Sequence, residues 1–312
     1  MSTYALFGAS GSTGASIAGA LEAAGEPYRV VGRDRTSLEA EFGDRPLAEI
    51  TVWNPDDPSS VRAAAAGIDT VFYLVGVPYN HFELHPLLMR ATLDGAIAAG
   101  VRRIVLLAPI YSYGRPKSPN VDESHPRNPD TYKGKMRKEQ EDLVLAVHAA
   151  GRIEGAILRV PDFYGGDPKK SLVGDIFVAA VNKRRANVIG PIDKPHQYVF
   201  MDDIGPVALA LARDDRAYGK AWNFAGSGTI TQREFANKVF AHFGRKPQLM
   251  VANIFMLRLI GLFDPIMREF VEMSYLQSDP VLLDDHALRA LLPGLHVTDY
   301  DDGIAKILST MT

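Results

Sequence analysis

Seven residues near the start of the chain, Gly8-Ala-Ser-Gly11-Ser-Thr-Gly14, separate a short apolar run (4–7) from an alanine-rich stretch with helical spacing (13–24). A strand that turns through glycines straight into a helix leaves the first backbone N–H groups of that helix unpaired. It aims them, with the positive end of the helix dipole, at whatever lies above the turn. A pyrophosphate fits such a cradle, because glycine lets the backbone come close. Three glycines can also form a purely structural turn, and it is the position between first strand and first helix that favours a dinucleotide. The expected contacts are Gly8, Ser10, Gly11, Ser12, Thr13 and Gly14.

The rest of the N-terminal half repeats the same grammar. Short β-branched or aromatic runs at 4–7, 28–31, 51–53, 70–75, 103–107 and 155–159 alternate with helical stretches at 13–24, 61–66, 87–99 and 131–150. That alternation predicts an α/β fold with a doubly wound parallel sheet of about six strands, the Rossmann arrangement. Beyond residue 160 the rhythm weakens. Residues 1–160 are therefore expected to form the dinucleotide-binding core. Residues 161–312 are expected to form mainly a smaller C-terminal substrate lobe, with some segments returning to the core. The polar, proline-rich segment 114–130 has the length and composition of an active-site lid.

Composition removes several classes of function. The 312 residues are 46% hydrophobic with a net charge of -3, enough apolar material for a core and too little basic charge for general nucleic-acid binding. The chain contains no cysteine, which excludes disulfides, thiolate nucleophiles and cysteine metal sites. The opening residues lack the pattern of a signal peptide, so a cytoplasmic location is expected. The longest apolar stretch, 252–263, is interrupted by Asn253 and Arg258 and falls short of the roughly 20 residues of a membrane span. It reads as a core or lid helix, and no membrane partner is expected.

The end of the second strand reads Gly32-Arg33-Asp34-Arg35-Thr36-Ser37. Guanidinium forks bind phosphate oxygens in pairs, so Arg33 and Arg35 suit a 2′-phosphate and predict NADP(H). Asp34 keeps NAD(H) open, since a carboxylate here can accept from ribose hydroxyls. Asn54 is placed to touch the adenine, while Asp56 and Asp57 serve either there or as helix caps before Ser59.

These pieces, together with VFYLVG, RRIVLLAPIYSYG, LRVPDFYGG, VFMDDIGPVALALA and AGSGTITQREFA, resemble the extended and atypical branches of the short-chain dehydrogenase/reductase superfamily, which include the NAD-dependent epimerases and dehydratases. The resemblance covers nearly the whole chain. It implies NAD(P) bound across the N-terminal sheet, with Val75, Gly76 and Phe163 among its contacts, and a substrate pocket between that sheet and the later lobe. The departures concern catalysis. Alignment on Tyr113-Gly114 puts Pro109 where the superfamily's serine stands. Pro129, Gly134 and Glu141 fix a helix register in which Lys133 takes the tyrosine position and Arg137 the lysine position. Starting instead at Tyr132 meets Met136.

A lysine followed four residues later by an arginine is similar to the active-site helix of isoflavone-reductase-like and NmrA-like members. Residues four apart share a helix face, so Lys133 and Arg137 are expected to point together toward the cofactor. Arg137 would hold ribose or phosphate and lower the amine's pKa by repulsion, leaving Lys133 as a general acid/base. The plainer reading of KGKMRKEQED is a solvated, salt-bridged helix face.

Tyr111, Tyr113 and Tyr132 surround the same presumed pocket, and a phenol there could protonate an enolate or alkoxide. His81 and His85 have helical ligand spacing but no third ligand nearby, so no metal is expected. His196 faces substrate or caps an edge, and Asp202 with Asp203 anchors a helix N-terminus. Phe177, Tyr198, Phe255, Met256, Phe263, Met267 and Met273 form either a greasy pocket or the core of the later lobe. The favoured function is an NADP(H)-dependent oxidoreductase reducing a carbonyl, enone or benzylic carbon of a small apolar substrate. The alternatives are a non-catalytic NADP(H) sensor of the NmrA-like type and a nucleotide-sugar epimerase or dehydratase, the latter weakened by the missing tyrosine. A homodimer through helices flanking the sheet is compatible with the sequence.

Overall fold

The structure is a computed structural model that describes residues 3–263 and 265–312, with the side chains of Lys170, Ile260 and residues 265–267 outside the described set. Met267, named above for the pocket, is therefore not placed.

The N-terminal half alternates β1 (Tyr4–Phe7), α1 (Ser12–Ala23), β2 (Tyr28–Gly32), α2 (Arg35–Phe42), β3 (Ala48–Val52), α3 (Pro58–Ala65), β4 (Thr70–Tyr73), α4 (Leu84–Ala98), β5 (Arg103–Pro109), α5 (Tyr132–Ala149) and β6 (Glu154–Val160). The chain then forms β7 (Asp162–Tyr164), α6 (Gly174–Val181), β8 (Ala186–Ile189), β9 (Pro195–Phe200), α7 (Met201–Arg213), β10 (Ala221–Asn223), β11 (Thr229–Thr231), α8 (Gln232–Ala241) and β12 (Leu249–Ala252). It ends with α9 (Ile254–Ile260), α10 (Pro265–Met273), α11 (Tyr275–Ser278), α12 (His286–Leu291) and α13 (Tyr300–Met311).

Seven strands make the central sheet in the order β10-β6-β5-β4-β1-β2-β3, every neighbour parallel. Strand residues alternate between two cores, as the pleat requires. Leu6, Val30 and Phe72 pack with α1, α2, α7 and α12, whereas Ala5, Phe7, Val31, Val71 and Tyr73 pack with α3, α4 and α5. Helices α1 and α7 cross closely because Gly205 has no side chain: a Cβ there would lie 2.1 Å from the Ser16 carbonyl oxygen. A third core holds the small β11-β9-β7 sheet against α6, α8 and α13.

The doubly wound reading holds, with specific differences. The sheet has a seventh strand, β10, drawn from the later part of the chain, and α7 returns with it to cover α1. Helix α2 is an unforeseen element, and Asp34 is its N-cap, accepting from the Thr36 and Ser37 N–H groups. Segment 114–130 is pinned rather than free. Val121 exchanges backbone hydrogen bonds with residues 282 and 284, and Glu123 accepts from the Asn223 N–H at 2.8 Å. A lid would have to break these bonds.

Candidate functional site

The turn after β1 leaves α1 open. Gly11 is its N-cap in extended backbone with no side-chain cap, no acidic residue stands in the first turn, and a Cβ on Gly11 would meet nothing within 4 Å. Gly14 is the opposite case: its Cβ would lie 2.0 Å from the Ala9 carbonyl oxygen, so only glycine lets the helix start this tightly. An uncapped helix N-terminus with room above it is the donor set an anionic pyrophosphate requires, and the cofactor implied by the sequence fits here. Two hollows bear on where a cofactor would lie. The larger, about 730 Å³, runs down the outside of α1 and reaches Ser10, Gly11 and Ser12 only at one end. The smaller, about 430 Å³, is lined by Arg33, Val52, Trp53, Asn54, Pro55, Asp56 and Ser60, and it matches an adenosine better.

The structure separates the residues proposed to select the cofactor. Arg33 and Asn54 share the smaller hollow, whereas Arg35 sits in the first turn of α2 and pairs with Glu39 at 3.2 Å. Asp34 is occupied as a cap, and its hydrogen bonds, the Ser37 hydroxyl first, hold its carboxyl below the usual carboxylate range. Asp57 caps α3 in the same way through Ser59. Val75 is buried at the end of β4, Gly76 is exposed beside it, and Phe163 is half-buried on β7.

Beyond the carboxyl ends of β4 to β6 lies the second part of the site. Thr131 caps α5, accepting from the Gly134 N–H, and this places Lys133 and Arg137 one turn apart on one face, each over the Phe82 ring at 5.6 Å. Lys133 is buried, only 1% exposed. Its ammonium lies 5.1 Å from the Tyr79 ring centroid and is held by Glu269 and Glu272 of α10, with Glu272 Oε2 at 2.6 Å. The other oxygen of Glu272 accepts from the Lys133 backbone N–H at 3.0 Å. The solvated-face reading fails for this residue. So does the notion that Arg137 governs the amine, whose contacts are two carboxylates. Arg137 donates instead to Gln140 at 2.8 Å, and its buried Nε has no hydrogen-bond partner among the described residues. Burial draws the guanidinium down to about 10, which leaves it charged at neutral pH.

The three tyrosines have different fates. Tyr111 is half-buried, stacks on Phe82 at 6.5 Å, and has its phenol raised first by burial and then by the charge of Asp162. Tyr132 is 50% exposed at the rim, with its hydroxyl 3.5 Å from Glu83. Tyr113 is sealed into a polar network below the site, accepting from Arg159 at 2.7 Å and donating to Asn223 at 2.8 Å, so it is unavailable to a substrate. Pro109 ends β5 as aligned, and the serine nearby, Ser112, points the other way and donates to Glu141 at 2.7 Å.

Several site residues were not anticipated. Tyr79 stacks on Phe270 at 5.0 Å, its phenol raised by burial, by Tyr111 and by Asp162. Asp162 pairs with buried His196 at 2.8 Å across β7 and β9. Glu269 and Glu272, three apart, share a face of α10, a spacing visible in REFVEM, but nothing local says which cation they meet. His85 is buried with both ring nitrogens unpaired among the described residues, while His81 lies outside on Glu83. Asp202 and Asp203 do stand in the first turn of α7. Of the apolar set, Phe177, Tyr198 and Met273 are buried and Phe255, Met256 and Phe263 are exposed.

A family model described as NAD(P)H-binding matches residues 8–151. The chain is 26% identical over 204 residues to a dTDP-6-deoxy-L-talose 4-dehydrogenase (NAD(P)(+)) of Kitasatospora kifunensis, a match covering 60% of this chain and 64% of that one, under two thirds of the relative's length. Its fold superposes on a UDP-N-acetylglucosamine 4-epimerase from Bacillus cereus with a TM-score of 0.80 at 16% identity, covering 100% of this chain and 96% of the other. It also superposes on a dTDP-glucose 4,6-dehydratase from Bacillus anthracis in complex with NAD, with a TM-score of 0.81 at 11% identity, covering 99% and 96%. The chain thus has the Rossmann-type fold of these enzymes, and the NAD(P)H-binding likeness covers residues 8–151, just under half of its length.

Proposed function

We propose that this protein is an NADP(H)-dependent oxidoreductase that reduces a carbonyl, enone or benzylic carbon of a small, largely apolar substrate. The observation that carries the reading is Lys133: a buried ammonium walled by Tyr79 and Phe82, in the helix register where the superfamily places its tyrosine. The nicotinamide, when bound, supplies the hydride. The chain's own residues do the rest. The open end of α1 holds the pyrophosphate, Arg33 meets the 2′-phosphate, and Arg137 offers an unpaired N–H to the sugar or phosphate. Lys133 holds a proton at Nζ for the substrate oxygen, with Tyr111 beside it as an alternative donor. Glu269 and Glu272 cover that proton, so α10 must yield before a substrate oxygen reaches it.

A second reading is favoured by the relatives, whose names specify nucleotide-linked sugars. In it the same site reduces or epimerises such a sugar. The aromatic wall of Tyr79, Phe82 and Phe270 and the missing tyrosine weigh against it. The test is oxidation of NADPH and of NADH by the purified protein against ketones, aldehydes, enones, benzylic ethers and a nucleotide-linked keto sugar. Turnover with NADPH on the apolar compounds supports the proposal, and turnover confined to the nucleotide sugar replaces it. Cofactor binding without any turnover makes the protein a sensor. In an active protein, Lys133→Met should lower kcat by roughly 10²–10⁴ with cofactor affinity retained; unchanged kcat removes Lys133 from catalysis.

A further inference from the structure

Eleven large apolar side chains are exposed among the described residues, and eight of them lie between Met250 and Phe263. Exposed apolar residues scattered singly need no explanation, but a contiguous set does. Helix α9 buries Leu257 and presents Ile254, Phe255, Met256 and Leu259 to solvent, and the turn that follows presents Leu262 and Phe263, the latter 87% exposed. Met250 and Val251 of β12 continue the surface.

The edge of this surface is basic. Strand β12 runs parallel to β8 with Leu249 opposite Ala186, which sets residues 183–185 beside 246–248 at the end of the apolar stretch. Lys183, Arg185 and Lys246 are exposed there and have no carboxylate partner among the described residues. The nearby acids are engaged, Asp175 by Arg184 and Asp193 by Arg233. Aromatic and aliphatic side chains bordered by lysine and arginine are the chemistry of an interfacial helix on anionic lipid.

We propose that the face formed by β12, α9 and the turn after α9 docks on an anionic lipid bilayer. The expectation of no membrane partner rested on the lack of a spanning segment, and a face that lies in the headgroup layer needs none. A second copy of the chain is the poorer occupant, because its matching face offers the same unpaired cations, and the acids near them are already engaged. The chain's net charge is -3, so attraction to anionic lipid must come from this local fringe. The proposal is independent of the substrate.

The test is co-sedimentation of the full chain with vesicles of phosphatidylcholine alone and with about 30% phosphatidylglycerol, at low and high salt. Binding is expected to the anionic vesicles only and to fall as salt rises. The Phe255→Asp/Phe263→Asp and Lys183→Glu/Lys246→Glu variants should each lower the partition coefficient by roughly tenfold or more. All four positions are exposed, so melting temperatures should be unchanged, and the charge variant tests the idea if the aspartates disturb α9. Absence of binding to anionic vesicles overturns the proposal. So does equal binding to neutral ones, binding undiminished in both variants, or a concentration-dependent dimer abolished by the aspartates without vesicle binding.

Discussion

Replacing Glu141 with glutamine probes how α5 is held. The Glu141 carboxylate has no exposed surface and accepts from Ser112 Oγ at 2.7 Å, Arg159 Nη2 at 2.7 Å, Arg159 Nε at 3.2 Å and Arg127 Nη1 at 3.0 Å. Arg159 is 2% exposed, stays charged, and donates from Nη1 to Tyr113, which in turn donates to Asn223 of β10. Glutamine removes the countercharge and turns an amide N–H₂ toward guanidinium donors. Breaking one side of a buried pair costs about 3–5 kcal/mol, since the other charge is left uncompensated. Arg127 is 21% exposed and re-solvates, so it adds little. Against a total stability of about 5–15 kcal/mol this is a large fraction. Urea unfolding followed by circular dichroism should show the midpoint falling at unchanged slope, and the melting temperature should drop on the order of 10 °C. A loss below about 1 kcal/mol would mean that Arg159 is already solvated and that the pair is not a buried one. Replacing both partners with apolar residues, Glu141→Leu with Arg159→Met, should recover much of the loss.

Two further outcomes follow from the same structure. Burial, reinforced by Arg137, pushes His85 down to about 2, so the unfolded chain binds a proton below pH 6.5 that the folded one refuses. Stability is therefore fully present above about 6.5 and is lost as pH falls. His85→Gln should remove about 1.4 kcal/mol per pH unit from the slope of stability between roughly pH 6 and 4, and an unchanged slope would show that the imidazole is reachable by solvent. Gly14→Ala forces a Cβ onto the Ala9 carbonyl, and the overpacking should cost about 1–3 kcal/mol and distort the turn. Calorimetry should show weakened cofactor binding; wild-type affinity would mean that this turn does not hold the cofactor.

The parts of this protein legible in its sequence are those written locally. The glycine turn, the strand-helix alternation and the register linking Pro129, Gly134 and Glu141 all act within one or two elements, and they correctly put Lys133 beside Arg137 and Pro109 at the end of β5. What the sequence hid depends on distant pairing. Strand β10 joins the sheet edge from more than sixty residues after β6. Glu269 and Glu272 reach Lys133 from 136 and 139 residues away. At the level of sequence Asp34 keeps NAD(H) possible, and its role as the cap of α2 shows only once that helix is recognised. Segment 114–130 looked like a lid because the bonds pinning it come from residues 223, 282 and 284.

We propose that the open end of α1 and Arg33 form an NADP(H) site. Isothermal titration of the protein with NADPH and with NADH tests it most directly, alongside Arg33→Ala. A phosphate held by a guanidinium is worth about 1.5–3 kcal/mol, so NADPH should bind roughly 10- to 100-fold tighter than NADH, and Arg33→Ala should bring the two together. Binding of neither cofactor, or tighter binding of NADH, would mean that Arg33 and this turn do not form an NADP(H) site.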